Sequence, residues 1–493
     1  MSFLFDGSVG LSLLAIVVVA LLLALSFEVV NGFHDTANAV ATVIYTHSLT
    51  PTQAVVWSGL WNFLGVVSST GAVAYAIVAL LPVDLILHVG SSAGLAMVFS
   101  LLLSAIVWNL GTWYLGLPAS SSHTLIGSIV GVGLANSAMH GQSFGDGVNW
   151  GKLQETMVAL ITSPLIGFVG AALLLWLARA LIRNPALYRA PDGPKPPPPW
   201  IRGLLVLTCT GVSFAHGSND GQKGIGLIML VLIGLLPAIF ALHLDVDRAQ
   251  LLGIADASRA AQPIFENGAG AARVDNADDA DRLIEQFLTS GRLEPATMAS
   301  LAFVNRRIAE VVGEHSSVSE LGRAARSRLR RDVYMVGSGI DKIAKVGAIA
   351  GAEATTLQRL RGGLRSLTEY IPLWVKFAVA LALGIGTMVG WKRIVVTLGE
   401  KIGKSHLTYA QGASAELVTM STIGLADVVG LPVSTTHILA SGIAGAMFAN
   451  RSGLQAGTLR NIVLAWVLTL PACVLLGSLL FAASLFAVLE LAG

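Results

Sequence analysis

Apolar runs recur along the whole chain, at Leu11 to Leu25, Ala93 to Val107 and Ile462 to Leu476 among others. Each neighbourhood reaches the roughly 20 residues that span a bilayer. The composition agrees, since 54% of the 493 residues are hydrophobic and only 12% are charged, where soluble globular chains carry about 25% charged residues. The sequence describes an all-α polytopic membrane protein in a lipid bilayer. Its 31 basic and 29 acidic residues exclude a basic nucleic-acid binder. Cys209 and Cys473 sit inside apolar runs and read as buried small hydrophobes, with neither metal-site spacing nor a disulfide framework. The first run lacks a basic n-region and continues into Glu28, Asn31, His34 and Asp35. It reads as a retained span, not a signal peptide.

Ten apolar blocks can be marked, at about 11–45, 53–81, 93–116, 119–136, 156–182, 203–240, 371–390, 410–430, 431–449 and 459–490. Blocks 11–45 and 203–240 are far longer than a bilayer is thick at 1.5 Å per residue, so they are expected to be broken, strongly tilted or two short pieces. Ten to twelve spans follow. With the N-terminus outside, the inside loops 46–52, 183–202, 391–409 and 450–458 hold Arg183, Arg189, Lys195, Arg202, Lys392, Arg393, Lys401, Lys404 and Arg451. The short outside loops hold only Lys152, beside Asp84, Asp146 and Glu155. This is the positive-inside asymmetry of a bacterial inner (plasma) membrane protein with both termini outside. Pro191 to Trp200, with Lys195 and six prolines, reads as a stiff linker.

Two patterns occur twice. Leu117-Pro-Ala-Ser-Ser-Ser-His123 matches Leu431-Pro-Val-Ser-Thr-Thr-His437 at an offset of 314, and Gly32-Phe-His-Asp35 matches Gly217-Ser-Asn-Asp220 at an offset of 185. The difference is 129 residues, the length of the polar stretch 242–370, which holds 17 basic and 17 acidic residues. The chain therefore reads as a duplicated unit with one insertion. Its parts are a first membrane repeat over 1–182, a linker over 183–202, the start of the second repeat over 203–241, a polar helical insert over 242–370, and the rest of the second repeat over 371–493. Five spans per unit is an odd number, which makes the repeats inverted. Inverted repeats with broken or half helices at the centre are a recurring transporter architecture.

Ionisable residues inside spans cost roughly 2.5–3.5 kcal/mol each on insertion scales and mark pathways. Here they cluster at the repeated patterns. Glu28, Asn31, Asp35 and Asn38, with His34 adjacent, follow spacings of three and four, as do His216, Asn219, Asp220 and Lys223. Such spacings form one helical stripe. A single Asn or His could be polar glue between helices; two matched aspartates flanked by amides point to function. In the Leu-Pro-x-Ser-(Ser/Thr)-(Ser/Thr)-His pattern, proline suits a first helical turn and Ser or Thr caps it. Each copy thus starts a helix whose free N–H groups and positive dipole end can hold an anion. The hydroxyls of Ser120, Ser121, Ser122, Ser434, Thr435 and Thr436 add neutral donors, and two such starts converge on one oxyanion. That anion beside Asp35 and Asp220 demands a proton, Na⁺ or a divalent metal. Asp35 and Asp220 are the expected coupling sites and, if the cation is a metal, its ligands. Glu416, His34 and Asn31 join the coupling set, and Asn38, Asn219 and Lys223 the substrate set. Lys223 fits two roles, substrate counter-charge or partner of Asp220. His123 and His437 read as packing residues, and Asp427 as a solvated boundary residue.

At these residues the sequence resembles the inorganic phosphate transporter (PiT) family, nearest its bacterial low-affinity members. Gly32-Phe-His-Asp-Thr-Ala-Asn-Ala-Val-Ala41 and Ala215-His-Gly-Ser-Asn-Asp-Gly-Gln-Lys-Gly224 are like its paired signatures, and Leu431 to His437 is like its Pro-Val-Ser-Thr-Thr-His turn. The resemblance implies proton-coupled phosphate uptake, often as a metal–phosphate complex, by alternating access, in a homodimer with no resident cofactor. Na⁺-coupled members carry Gly-Ala-Asn-Asp where this chain has Gly32-Phe-His-Asp35, which favours protons. A Na⁺–phosphate symporter and a sulfate permease share the fold. An intramembrane enzyme acting on a phosphate-bearing lipid is the rival from another class, but it lacks a nucleophile–base constellation. A P-loop, the mark of a primary pump, is absent.

Overall fold

The computed structural model describes residues 10–35, 37–81, 92–139, 141 and 147–492. Asp84 and Asp146 lie outside them. Regular structure among the described residues is helical, with one isolated β-bridge between Gly403 and Leu454. The chain divides into two compact units, one holding residues 1–235 and 371–493, the other Leu236–Tyr370.

In the larger unit the helices before the division are α1 (Leu11–Asp35), α2 (Ala37–Tyr45), α3 (Pro51–Ser68), α4 (Ala72–Val78), α5 (Ser92–Tyr114), α6 (Ser121–Met139), α7 (Trp150–Leu181) and α8 (Pro199–Leu235). The smaller unit contains α9 (Pro237–Phe240), α10 (Arg248–Ala269), α11 (Ala277–Ser290), α12 (Pro295–Glu314), α13 (Arg323–Val346) and α14 (Gly351–Thr368). The larger unit resumes with α15 (Leu373–Met388), α16 (Lys392–Glu400), α17 (Tyr409–Val428), α18 (Thr435–Ala449) and α19 (Ala456–Ala492).

The long apolar blocks resolve differently from one another. Block 11–45 divides into α1 and α2, and block 53–81 bends by 76° between α3 and α4, where Gly71 adopts φ +93°. Block 203–240 is unbroken as far as Leu235, within the 37-residue helix α8, roughly 55 Å long at 1.5 Å per residue; Pro237–Phe240 form the separate α9. Among the described residues four segments, α1 with α2, α5, α7 and α19, are long and apolar enough to cross a membrane alone. The other helices of the expected ten spans are shorter or carry polar stripes. Neighbouring protein buries those stripes, as it does α8 from Ala215 to Ile233, so these helices need no uniformly apolar surface.

The helices pack reciprocally across the two halves. α6 lies against α19 and α18 against α7, while α1 lies against α15 and α8 against α3. Glycines make the second set possible. A Cβ on Gly65 of α3 would fall on the Phe214 backbone of α8, and one on Gly386 of α15 would fall on the Val29 backbone of α1. Val29 and Phe214 are 185 apart, the offset of the Asp35 and Asp220 patterns, while Gly65 and Gly386 are 321 apart. The two crossings thus keep the 185 offset on one side and differ by seven residues from the 314 offset on the other.

The basic loops gather at one end. Arg202 Nε donates to Ser48 O (2.7 Å), Tyr45 Oη to Glu400 (2.9 Å), Arg393 Nη1 to Tyr114 O (2.9 Å) and Lys404 N to Gly453 O (3.1 Å). The Leu236–Tyr370 unit has its own core, including Phe265, Phe287, Val304, Ile308, Val336 and Leu360. A fork–fork pair between Arg307 and Asp332 (2.6 and 2.5 Å) reinforces it. Asp247 and Asn276 cap α10 and α11.

Filling the close crossing is expected to destabilise the membrane unit. Gly65→Val should lower the apparent melting temperature by about 5 °C or more, the scale of a 1–3 kcal/mol overpacking penalty. Gly203→Val, at an open position on α8, should leave it within about 2 °C. Thermal denaturation of the purified protein in detergent checks both.

Candidate functional site

Both Ser/Thr patterns begin helices as expected. Ser120 Oγ accepts from His123 N and Ser434 Oγ from His437 N, each at 3.2 Å. These serines are N-caps, satisfying one free donor of each first turn. Pro118 and Pro432 precede the caps, so they shape the approach to the helix and do not occupy its first turn.

The two starts meet at Asp35, the last residue of α1. Ser121 Oγ of α6 donates to Asp35 Oδ2 at 2.6 Å, and Thr436 Oγ1 of α18 donates to Oδ1 at 2.7 Å. His34 Nδ1 lies 3.0 Å from Oδ1, and Thr112 Oγ1 lies 3.3 Å from His34 Nε2. Asn38, in the first turn of α2, donates from Nδ2 to Thr436 Oγ1 at 2.8 Å. One carboxylate thus takes a hydroxyl from the first turn of each of the two Ser/Thr-capped helices, α6 and α18.

The six hydroxyls have different tasks. Ser120 and Ser434 cap, Ser121 and Thr436 serve Asp35, and Ser122 donates to Val433 O at 2.7 Å. Thr435 Oγ1 is buried without a partner. By sequence alignment Ser121 matches Thr435 and Ser122 matches Thr436, so the two copies present different members of the pattern to Asp35.

Asp220 has another kind of partner. Lys223 Nζ lies 2.7 Å from its Oδ1, and His216 Nε2 lies 3.5 Å from its Oδ2. Lys223 Nζ is also 3.5 Å from Val433 O, so it bridges α8 to the segment leading into α18. Asn219 Nδ2 donates to Leu431 O at 3.2 Å in that same segment. Ligand atoms of Asp35, His216 and Asp220 all lie within 4.8 Å of one another, and all three residues are buried. Two carboxylates and an imidazole suit a proton or a divalent metal; the imidazole is a poor ligand for a hard cation that prefers oxygen.

Several participants escape sequence reasoning. His216 is in the polar stripe, at four residues from Asp220, but its position beside Asp35 depends on the crossing of α1 and α8. Asn62 of α3 lies 2.9 Å from His216 Nδ1 and donates to Thr387 Oγ1 of α15 at 3.0 Å, with no sequence signal beyond a polar residue in an apolar block. Glu28 is a third fully buried carboxyl, held by Asn31 Nδ2 at 3.4 Å. A Cβ on Gly224 would overlap it, so the glycine of α8 is what leaves room for the Glu28 side chain of α1.

Glu416 lies apart from the triad. Its two oxygens take the hydroxyls of Thr42 and Thr208, which ties α17 to α2 and α8. Asp427, partly exposed near the end of α17, is also hydrogen-bonded: Ser218 Oγ donates to it at 2.6 Å and Gln222 Nε2 at 2.5 Å. The reason is the long α8, whose polar side chains continue past the Asp220 level. The His123 and His437 rings lie against each other at 4.6 Å, and His437 stacks on Trp466 at 4.0 Å. This is a packing arrangement.

The buried charge balance defines what the site can do. Lys223 pairs with Asp220, and Asp35 and the carboxyl of Glu28 are buried beside them. A multivalent anion entering this ground needs added positive charge.

Comparison with known proteins is consistent with this geometry. Residues 31–477 match the PHO4 phosphate transporter family. The chain is 46% identical over 495 residues to the low-affinity inorganic phosphate transporter PitA of Escherichia coli K12, covering 97% of this chain and 98% of that protein. It is 42% identical to PitB of the same strain, covering 94% and 96%. The names of these relatives describe transport, not catalysis. A solved structure titled "The sodium-dependent phosphate transporter" superposes with a TM-score of 0.53 at 18% identity, covering 97% of this chain and 99% of that one, which shows a shared fold. This protein belongs to the phosphate transporter family.

Proposed function

We propose that this protein imports inorganic phosphate across the bacterial inner membrane as a cation-coupled symporter. The observation that carries the reading is the pair of hydroxyls, Ser121 and Thr436, that reach one carboxylate from two helix starts. A hydroxyl proton can be given to Asp35 or to a phosphate oxygen, not to both. When a cation or proton takes over the charge of Asp35, Ser121 and Thr436 are released to donate to phosphate, together with the free N–H groups of α6 and α18. Thr435, Asn38 and Asn219 add polar groups around the same place, and Lys223 supplies the positive charge. Cation and phosphate then bind each other's preferred state, and by linkage each tightens the other by the same factor.

The two copies of the Ser/Thr pattern meet Asp35 with different residues. Such unequal local states are what two inverted repeats adopt when one side of a transporter is open and the other closed. We therefore infer inverted repeats and alternating access, with the gathered basic loops on the cytoplasmic face. The Asp35–His216–Asp220 donor set favours a proton, or a divalent metal travelling with phosphate, over Na⁺. Asp35 and Asp220 carry the coupling, and His34 and Asn31 hold their surroundings in place.

In proteoliposomes, radiolabelled phosphate is expected to accumulate under an imposed inward proton gradient, with sulfate a weak competitor. Absence of uptake under proton, Na⁺ and divalent-metal gradients alike contradicts the reading. Asp35→Asn and Asp220→Asn should each abolish accumulation. Glu416→Gln should retain it within about threefold, because Gln can still accept from one threonine and the site loses no ligand.

Removing one hydroxyl should weaken phosphate without ending transport. Ser121→Ala and Thr436→Val are each expected to raise the KM for phosphate roughly 10-fold, the scale of one charge-assisted hydrogen bond. Initial-rate uptake against phosphate concentration measures this, and unchanged KM in both variants contradicts the assignment of the donors.

A further inference from the structure

A cavity of about 620 Å³ opens at the end of the membrane unit where the basic loops gather, between the C-terminus of α5 and the start of α16. Its walls include Trp113, Tyr114, Trp391, Lys392, Arg393 and Lys401. It is separate from the phosphate site: none of these residues belongs to the Asp35–Asp220 constellation. Arg393 is built into the wall, with its guanidinium 5.3 Å from the Trp113 ring and 5.0 Å from the Tyr114 ring, and Nη1 donating to Tyr114 O at 2.9 Å. Trp113 is itself fixed, donating Nε1 to Gly390 O at 2.7 Å and meeting Phe33 edge-on at 5.1 Å. Among the described residues none of Lys392, Arg393 and Lys401 is paired with a carboxylate, and Glu400 beside them is held by Tyr45. The wall therefore presents three uncompensated cations and aromatic rings.

Apolar surface leads into this cavity from the lipid-facing side. On α5, Leu103, Val107, Leu110 and Tyr114 are exposed at helical spacing; on α15, Phe377, Leu381, Ile385 and Met388 are exposed in the same way. Both helices flank α1. A free anion needs the cations but not these apolar stripes. A second copy of this chain would set the cations against their own like. A ligand with an anionic head and apolar tails uses both features, since basic and aromatic groups at a membrane interface hold anionic headgroups while acyl chains cover apolar helix faces.

We propose that this cavity is a binding site for an anionic phospholipid, with the phosphodiester headgroup held by Lys392, Arg393 and Lys401 and the acyl chains lying along α5 and α15. Native mass spectrometry of the full-length protein in detergent, titrated with phosphatidylglycerol, phosphatidylcholine or inorganic phosphate, tests it. The wild type should retain phosphatidylglycerol in preference to phosphatidylcholine, and Lys392→Gln with Lys401→Gln should weaken that retention roughly 10-fold or more, at about 1 kcal/mol per basic residue. That double variant leaves the Arg393 stack intact; Arg393→Lys keeps the charge, loses the stack and should show an intermediate loss. Equal retention of phosphatidylglycerol by wild type and double variant overturns the proposal, as does equal retention of the two lipids. Displacement of phosphatidylglycerol by millimolar inorganic phosphate also overturns it, by making the free anion the occupant.

Discussion

A carboxylate removed from water survives only where donors replace its hydration, and Asp35 is met by Ser121, Thr436 and His34. Two of those donors stand at the starts of helices from opposite halves of the chain. Bringing them to one atom pair requires α6 and α18 to point at a common centre. This in turn requires the reciprocal packing of α6 on α19 and α18 on α7. The close glycine crossings of α1 on α15 and α8 on α3 set the depth at which Asp35 and Asp220 meet. The fold can be read as the scaffold this one desolvated charge needs.

The same interaction supplies a logic for coupling. In the proposed mechanism Asp35 and a phosphate ion compete for the same hydroxyl protons, and repulsion between them would be strong in a low-dielectric site. A cation relieves both conflicts at once. Asp220 takes a different route, neutralised by Lys223, so the two matched aspartates are unequal in charge although equal in the sequence repeat. Glu416 accepts from two threonines and ties α2, α8 and α17 together.

Much of this was legible in the amino-acid sequence because the background is so apolar. Asp35, Asp220 and their amide neighbours stand out at helical spacing, and the Ser/Thr patterns announce their helix starts by capping chemistry. What stayed hidden depends on tertiary contact. His216 is visible only as a member of the Asp220 stripe, and Asn62 only as a single polar residue, until the crossing of α1, α3 and α8 places them at the site. The unbroken run of α8 could not be foreseen from its glycines, which serve close packing and not a break, and it carries Ser218 and Gln222 to Asp427. The different tasks of Ser120, Ser121 and Ser122 follow from helix rotation, which residue type does not encode. The compact polar unit begins at Leu236 rather than 242, because the short α9 is apolar and reads as the tail of the preceding span.

Linkage of a cation and phosphate through Asp35 underlies the proposed transport cycle. It is tested most directly by phosphate binding to the purified protein, measured by calorimetry across pH and across Na⁺ and Mg²⁺ concentrations. The account predicts that at least one of these cations tightens phosphate by about 10-fold or more, a coupling on the order of 1–3 kcal/mol, and that Asp35→Asn removes the dependence. Phosphate affinity that ignores all three cations in the wild type, or a dependence that persists unchanged in Asp35→Asn, would contradict it.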